Sequence, residues 1–559
     1  MGILQILIVL AVVVLLVKPL GTYVYHVFSN EPNRTDRIFG AFERFIYRLI
    51  GLKDRSGMTW RKYALTLLLT NIVLVAFGYA ILRLQKFMPL NPNGMDNMEQ
   101  TLTFNTIISF ITNTNLQDYS GETGLSYFSQ MAVIMMMMFT SAATGFSVAI
   151  AFVRGITGKG QTIGNFFEDF VKAHTRIFIP SAVLVTLLLV ALQVPQTLHP
   201  TLTVTTLEGT TQHIAIGPVA ALESIKHLGT NGGGFFGANS AHPFENPSPL
   251  TNVIEILSMW LLPASLPYTY GLFAKNRKQG WVVFSAMMTL FLVFLTTVYW
   301  AELRGNPALS AMGIDASQGS MEGKEVRFGI PQSALFTAVT TAATTGSVNN
   351  MHDTLTPLGG LVPLAEMMLN VVFGGKGVGL VNMLMYAILG VFLCGLMVGR
   401  TPEFLGRKIE PREMKLVAVA ILIHPLIILA PTAIAFLTDL GQGSITNPGP
   451  HGISQVLYQY TSSAANNGSG FEGLADNTPY WNITTGIVML LGRYISMIAM
   501  LAVAGSLVRK QLVAETIGTF RTDNTLFYAI LIGTVLIIGA LTFLPAIVLG
   551  PIAEQLKLG

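Results

Sequence analysis

The sequence predicts an all-α membrane protein with about ten transmembrane helices, and three observations support that prediction. The 559 residues have a mean hydropathy of +0.57 and only 11% of them are charged, whereas soluble domains carry roughly 25%. This composition excludes a soluble enzyme and a nucleic-acid binder. The single cysteine, Cys394, excludes a disulfide framework, an iron–sulfur cluster and a thiolate zinc site. Ten apolar runs are long enough to cross a bilayer: 1–17, 63–82, 127–153, 177–194, 250–273, 281–300, 361–399, 415–437, 483–508 and 525–548.

The first run and the distribution of basic residues predict the orientation. Residues 1–17 have no basic start and no small-residue cleavage pattern, which favours a retained helix over a cleaved signal. The connection 18–62 holds nine Lys and Arg residues, whereas 195–217 and 438–452 hold none. Because basic connections stay in the cytoplasm and the number of spans is even, we expect both termini to be extracytoplasmic.

Four short clusters of Thr, Asn, Ser and Gly follow mildly apolar stretches between these runs. With Thr114, Gly232, Gly346 and Gly468 as corresponding points, the clusters are separated by 118, 114 and 122 residues. Each cluster lies between two apolar runs, so a layout of span, half-helix, loop and span occurs four times. We expect four pseudo-symmetric repeats around a central pore, at 63–153, 177–273, 281–399 and 415–508, with an extra span in 1–62 and in 525–559.

This layout predicts a filter for a monovalent cation. Half-helices that end near the membrane centre place the negative ends of their dipoles around a cation, and Gly lets carbonyls turn inward. Carbonyl oxygens, assisted by Thr hydroxyl and Asn amide oxygens, can replace the water shell of the ion. No cluster contains a carboxylate, which argues against a Ca²⁺ site. Such clusters are also typical of surface turns, but four at near-equal spacing favour the filter.

Several longer motifs resemble the A-subunit family of the Kdp-type potassium-transporting ATPases, over nearly the whole chain. They are Gly229–Phe236, Ala238–Pro247, Thr112–Asn115, Tyr119–Glu122, Asn306–Pro307, Met321–Glu325, Gly399–Glu403 and Asn447–Gly452. The resemblance implies a K⁺-selective, multi-pass protein in the bacterial plasma (inner) membrane. It also implies assembly with the B, C and F subunits of a Kdp complex, which are the P-type ATPase, a single-span protein and a small helical protein. By this resemblance the K⁺ filter comprises Asn113, Thr114, Thr230, Asn231, Gly232, Thr344, Thr345, Gly346, Asn466, Asn467 and Gly468.

One cluster departs from the four-fold pattern. The first has no Gly where the other three do. We therefore expect Asn113 and Thr114 to supply a less symmetric set of oxygens.

Two features predict a barrier below the filter. The run 361–399 is too long for one crossing and is interrupted at Phe373–Gly379, which the resemblance implies is a gate formed by Gly374, Gly375, Lys376 and Gly377. A plain helix kink is the alternative, and Lys376 could instead extend to the cytoplasmic side. Arg493 lies among apolar residues, where it would either repel K⁺ or pair with an acid.

A third feature concerns the exit of the ion. The family is expected to have a carboxylate shortly before Val371-Val372-Phe373, but this chain has Asn370 there. Glu366 lies one helical turn earlier and could substitute for it. The Glu223 and Lys226 side chains, at i,i+3 spacing, are expected to form a structural pair.

The energy source must lie in another polypeptide, because the sequence has no nucleotide-binding P-loop and no Asp-Lys-Thr-Gly phosphorylation motif. We therefore expect no catalytic centre and no bound nucleotide, and K⁺ as the only ion at the filter. One alternative is a stand-alone Trk/Ktr-like potassium transporter or channel of the same architecture. A second is an intramembrane enzyme, which would need a His, Asp and Glu cluster at membrane depth; only His424 lies in an apolar run, so none is expected.

Overall fold

Ten long helices dominate the computed structural model, which describes residues 2–29, 31–32, 34–52, 54–315, 317–513 and 519–558. Within these ranges, ten helices are long and apolar enough to cross a membrane, so the predicted fold class is confirmed. They are Gly2–Phe28, Trp60–Arg83, Tyr127–Thr157, Phe166–Ala191, Pro249–Phe273, Arg277–Ala311, Val378–Met397, Pro411–Leu437, Pro479–Leu507 and Thr525–Leu558.

The first helix is longer than predicted. It continues through Pro19 to Phe28, because its buried face continues as well: Val13, Val17 and Val24 are all fully buried. A proline inside a helix removes one backbone donor, and here packing against the Pro249–Phe273 helix outweighs that loss.

Four short helices, which we call pore helices 1 to 4, enter the bundle between the long ones. At ~1.5 Å per residue they are too short to cross a bilayer, so each returns the chain to the side from which it came. Nearly every residue of these helices is buried, which is unusual for helices that precede polar loops. In chain order they are Gln100–Ile111, Val219–Leu228, Gly329–Ala342 and Pro450–Ala465.

The predicted interruption of the seventh span is confirmed. Helix Pro357–Leu369 ends at Asn370, whose φ of 48° is left-handed, and the next helix begins at Val378. Phe373 and Gly374 also have positive φ, of 55° and 48°. The chain therefore leaves the helix completely, which excludes a plain kink.

Burial separates the central helices from the peripheral ones. We call Tyr127–Thr157 the central helix. In its most apolar stretch 83% of the residues are buried, against 22% in the first and last spans. A span that is buried all round lies inside a bundle rather than against lipid. The central helix is therefore positioned to contact the pore.

The connections that carry most of the Lys and Arg residues come together at one end of the molecule; these five basic connections are 18–62, 154–176, 275–278, 400–415 and 509–521. Residues from each of them line one cavity of about 1360 Å³, including Arg55, Lys159, Lys275, Arg407 and Arg521. This common location is what the alternation of basic and non-basic connections predicts.

The remaining elements are short. An amphipathic helix, Arg34–Leu49, is held by the ion pair between Glu43 and Arg176, at 2.6 Å. Two antiparallel hairpins depart from a purely helical fold, Leu202–Thr205 with Thr211–Ile214 and Glu403–Phe404 with Arg407–Lys408. The other short segments are Gln85–Phe87, Gly121–Gly124, Asn239–Ala241, His352–Thr354 and Asp439–Gln442.

Candidate functional site

Each pore helix leads into its polar loop through the same backbone turn. The turn residue has a left-handed conformation, which non-glycine residues adopt rarely and mostly at single positions. The four turn residues are Asn113, Thr230, Thr344 and Asn466, with φ of 63°, 45°, 45° and 54°.

These turns correct the predicted alignment of the first loop. Gly232, Gly346 and Gly468 each lie two positions after the turn residue, and in the first loop that position is Asn115, with φ of 61°. Asn tolerates the left-handed conformation better than most residues, so Asn115 takes the place of the glycine. The prediction that Thr114 corresponds to the three glycines is therefore wrong by one residue.

The four loops meet at backbone contact. A β-carbon added at Gly468 would lie 1.8 Å from the Thr114 carbonyl oxygen, and one added at Gly346 would lie 2.1 Å from the Asn467 carbonyl oxygen. One added at Gly232 would lie 3.1 Å from the same Thr114 oxygen. A side chain does not fit at Gly346 or Gly468 and would be tight at Gly232, so glycine allows main-chain oxygens of different loops to approach one another.

Asparagine side chains brace the loops. The Asn113 amide donates to the Thr230 carbonyl at 2.7 Å, and its oxygen accepts from the Ser141 hydroxyl at 2.9 Å. The Asn467 amide oxygen accepts from the Ser469 backbone N–H at 2.9 Å. Because these two amide oxygens already accept hydrogen bonds, they are not free to coordinate an ion.

Asn231 and Asn466 also act as braces. The Asn231 amide donates to the Met138 carbonyl on the central helix, at 3.3 Å. The Asn466 amide donates to the Thr114 hydroxyl oxygen at 2.9 Å, which joins the fourth loop to the first. Hydrogen bonds of this kind hold the ring of loops in one geometry.

Two threonine hydroxyls and one asparagine amide remain available. The hydroxyls of Thr230 and Thr345 and both polar amide atoms of Asn115 are buried and have no hydrogen-bond partner among the described residues. A buried polar atom without a partner costs free energy unless a ligand satisfies it. The Thr344 hydroxyl, in contrast, accepts from the Gly375 N–H at 2.5 Å.

The interrupted span lies directly beneath the loops. The Gly374 N–H donates to the Ala342 carbonyl at the end of pore helix 3, at 2.7 Å. A β-carbon at Gly375 would lie 2.5 Å from the Thr344 hydroxyl and 2.9 Å from that of Thr230. The break is thus a closed layer under the second and third loops.

The two basic residues predicted to form the barrier both contact the central helix, Arg493 through its side chain and Lys376 through its backbone. A β-carbon at Gly145 would lie 2.7 Å from an Arg493 guanidinium nitrogen and 3.1 Å from the Lys376 carbonyl oxygen. Arg493 donates to the Ser141 carbonyl at 3.2 Å, and Gly377, with φ of 96°, packs against the same helix. Within the described ranges, neither basic side chain forms an ion pair, and the Lys376 ammonium has no hydrogen-bond partner.

The structure separates the two candidate exit residues. The Glu366 carboxylate accepts from the Thr341 hydroxyl of pore helix 3, at 2.5 Å. The Asn370 carbonyl accepts from the Asn382 amide at 2.8 Å, and both residues line a cavity of about 50 Å³ that Glu366 does not line. This cavity also borders Asn466, Arg493, Tyr386, His424 and Phe543.

A buried charged cluster lies behind the second loop. The expected pair is confirmed: the Lys226 ammonium is 2.7 Å from Glu223 and 2.8 Å from Glu245. Glu223, His227 and Glu255 place possible ligand atoms within 4.8 Å of one another. The expectation of no His and Glu cluster at this depth is therefore wrong, because Glu255 lies on another helix and is distant in sequence.

Comparison with known proteins agrees with this geometry. A family model described as the potassium-transporting ATPase A subunit matches residues 7–556. A potassium-transporting ATPase potassium-binding subunit from Geobacillus kaustophilus (strain HTA426) is 64% identical over 554 residues, covering 99% of both chains. The potassium transporter TrkH from Vibrio parahaemolyticus has a similar fold, with a TM-score of 0.52 at 14% identity, covering 87% of this chain and 96% of TrkH. The chain belongs to the family of potassium-transporting ATPase A subunits.

Proposed function

We propose that this chain is the potassium-binding, potassium-selective translocating subunit of an ATP-driven uptake complex. The observation that carries the proposal is the convergence of four loops whose main-chain oxygens come to backbone contact at glycines. The 64% identity to a potassium-binding subunit over the full length supports the same function. The chain contributes no catalytic centre, and ATP is hydrolysed by a partner.

The filter binds K⁺ through main-chain carbonyls. Thr114, Thr345 and Asn467 supply the oxygens nearest the three glycines, and the free hydroxyls of Thr230 and Thr345 add to them. The pore helices end just before the loops, so the negative ends of their dipoles favour a cation there. A ring of oxygens replaces the water shell of an ion at low cost only if the oxygens are held in place, and the asparagine braces hold them.

A direct exit toward the basic end is blocked. Gly375 lies against the filter, and the unpaired Arg493 and Lys376 place positive charge below it. The ion leaves sideways through the cavity at Asn370, Asn382 and Arg493 instead. We propose that this route leads to the B subunit, the P-type ATPase.

The partners of this chain and its orientation in the membrane complete the proposal. We propose that the C and F subunits complete the complex, in a bacterial plasma (inner) membrane. The five basic connections around one cavity support a cytoplasmic location for that end. Both termini are then extracytoplasmic, and the filter faces outward.

Radioactive Rb⁺ uptake into proteoliposomes tests the function. The complex with ATP should accumulate Rb⁺, whereas this chain alone should not. Gly232→Asp should reduce discrimination against Na⁺ by about ten-fold or more, because a side chain here displaces filter carbonyls. Gly533→Ala is the matched control, since a β-carbon there has no atom within 4 Å. Steady conduction by the chain alone would instead indicate a stand-alone transporter.

A further inference from the structure

The buried charged cluster behind the second loop holds more acids than bases. Glu223, Glu245 and Glu255 are each at most 1% exposed. The Lys226 ammonium contacts two of them, and among the described residues no other lysine or arginine forms an ion pair with these acids. Three ionised carboxylates and one ammonium leave two negative charges without a counter-ion. Such a charge deficit is costly inside a protein.

The donors in the cluster satisfy Glu245 fully and Glu223 in part. One Glu245 oxygen accepts from the Lys226 ammonium and the other from the Phe236 backbone N–H, both at 2.8 Å. One Glu223 oxygen accepts from the Ser240 hydroxyl at 2.8 Å and lies 2.7 Å from the Lys226 ammonium. The second Glu223 oxygen has no hydrogen-bond partner within the described ranges. Glu223 therefore has one oxygen to offer to a ligand.

The Glu255 carboxylate is buried without any donor. Neither of its oxygens has a hydrogen-bond partner in the part of the chain that the structure describes. One of them lies 3.6 Å from Nε2 of His227. A protonated imidazole would hydrogen-bond to a carboxylate at about 2.7–2.9 Å, so the observed separation is too long for that contact. It leaves room for an ion between the two atoms.

The His227 imidazole has the hydrogen bond that orients a metal ligand. Its Nδ1 lies 3.1 Å from the Glu223 backbone carbonyl, which can only accept, so Nδ1 carries the proton and Nε2 the lone pair. The Ser347 hydroxyl lies 3.1 Å from Nε2, but it can donate instead to the Ser240 hydroxyl at 3.0 Å. Metal-binding histidines commonly donate their other N–H to a carbonyl or carboxylate in this way.

We propose that Glu223, His227 and Glu255 bind a divalent transition metal ion of the Zn²⁺ class. Their possible ligand atoms all lie within 4.8 Å of one another. With metal–ligand bonds of about 2.1 Å, the 3.6 Å between His227 Nε2 and the Glu255 oxygen gives an angle of roughly 120° at the metal, near the tetrahedral value. Glu255 can bind through both oxygens and so supply a fourth contact.

The ligand types and the charge select the ion. An imidazole ligand favours a transition metal over K⁺ or Mg²⁺, which prefer oxygen ligands alone. A divalent ion also supplies the two positive charges that the cluster lacks.

The ion has a structural role and is not the transported ion. All three ligand residues are at most 1% exposed, and none of them belongs to the ring of loops. The ion joins pore helix 2, which carries Glu223 and His227, to the Pro249–Phe273 helix, which carries Glu255. Because His227 lies three residues before the turn residue Thr230, the ion fixes the end of the helix from which the second loop starts. The inference thus goes beyond the proposed function.

The test is the metal content of the assembled complex, measured by inductively coupled plasma mass spectrometry. The complex is purified without a metal-affinity column and washed with EDTA. The wild type should retain about one Zn²⁺ per complex, because the ligands are buried in the folded state. Glu255→Gln and His227→Gln should each retain about ten-fold less, since each removes one ligand. Glu208→Gln, in the exposed turn after strand Leu202–Thr205, is the matched control and should keep the metal.

Anomalous diffraction at the zinc absorption edge locates the ion in the wild-type complex, so the test does not depend on the folding of the variants. We expect a peak between Glu223, His227 and Glu255. A wild-type complex without this peak and without bound metal overturns the site, and a proton on Glu255 then supplies part of the missing charge. Equal metal contents in an assembled Glu255→Gln complex and the wild type also overturn it. Either result leaves the proposed K⁺ filter unaffected, because no filter residue is a ligand.

Discussion

Buried basic residues above and below the filter differ in their partners. Beside and above the loops, Lys226 contacts two carboxylates and the Lys324 ammonium lies 2.6 Å from Glu302. Below them, Arg493 and Lys376 are equally buried, but neither forms an ion pair within the described ranges. A buried charge without a counter-ion is costly and so marks a function. Under the proposed function, positive charge is neutralised where K⁺ binds and retained where K⁺ is stopped.

The same contrast appears in the symmetry of the two regions. A residue in the left-handed conformation follows every pore helix at the same position, so the turn into the filter loop occurs four times. The closed layer at Gly375 comes from the third repeat and Arg493 from the fourth. A turn that occurs in all four repeats suits a ring around an ion, whereas elements that occur in one repeat only, such as Gly375 and Arg493, can make the exit of the ion one-sided.

Removing a paired cation should have the largest effect. Lys226→Met leaves Glu223 and Glu245 buried without their shared partner, and breaking such a pair costs about 3–5 kcal/mol. We expect loss of assembly, or a large fall in the melting temperature of the detergent-purified complex. Lys86→Met, at an exposed pair with Asp96, is the control. An unchanged melting temperature of the Lys226→Met complex would contradict the comparison between paired and unpaired basic residues.

Removing the unpaired arginine should affect transport rather than stability. Arg493→Met relieves an uncompensated charge, so the complex should melt no lower than the wild type. Rb⁺ should then leak through the complex without ATP, by about ten-fold over the wild type, because one barrier charge is lost. Arg493→Lys keeps the charge and should keep the barrier. An Arg493→Met complex that does not leak Rb⁺ but melts at a lower temperature than the wild type would indicate that Arg493 is a structural brace.

Lys376→Met should give a smaller leak. Its ammonium is unpartnered among the described residues, but the closed layer is formed by the backbone of Gly374 and Gly375, which the substitution leaves intact. We expect about three-fold more ATP-independent Rb⁺ flux, measured beside Arg493→Met. A larger leak than that of Arg493→Met would reverse the order of the two barriers.

Glu366→Gln should have the smallest effect. Its amide oxygen can still accept from Thr341, and the side chain does not line the exit cavity. We expect transport within about two-fold of the wild type, whereas Asn382→Leu, which removes a polar group from that cavity, should reduce it further. Equal losses in both variants would place Glu366 in the ion path.

Local patterns in the sequence predicted much of this structure. Hydropathy predicted the ten spans, and the glycines between Phe373 and Gly379 predicted the broken helix. The predicted end of the first helix was wrong, because its packing against another span outweighs Pro19. The register of the first loop was wrong because Asn115 supplies the left-handed conformation that Gly346 and Gly468 have in the third and fourth loops.

Contacts between distant residues could not be predicted in the same way. The buried cluster joins Glu223 to Glu255, and the Glu472 carboxylate accepts from the backbone N–H groups of His352 and Asp353. No periodicity or spacing relates such positions, since only the packing of separate helices and loops brings them together. The bracing role of Asn113 likewise depends on the Ser141 hydroxyl of another helix.

Anomalous diffraction from Rb⁺-loaded crystals of the complex tests the central claim most directly. We predict an anomalous peak inside the ring of loops, coordinated by the carbonyl oxygens of Thr114, Thr345 and Asn467 and close to Gly232. The amide oxygens of Asn113 and Asn467 should lie outside its coordination shell. Rb⁺ bound elsewhere in the chain, with no peak between these carbonyls, would contradict the account.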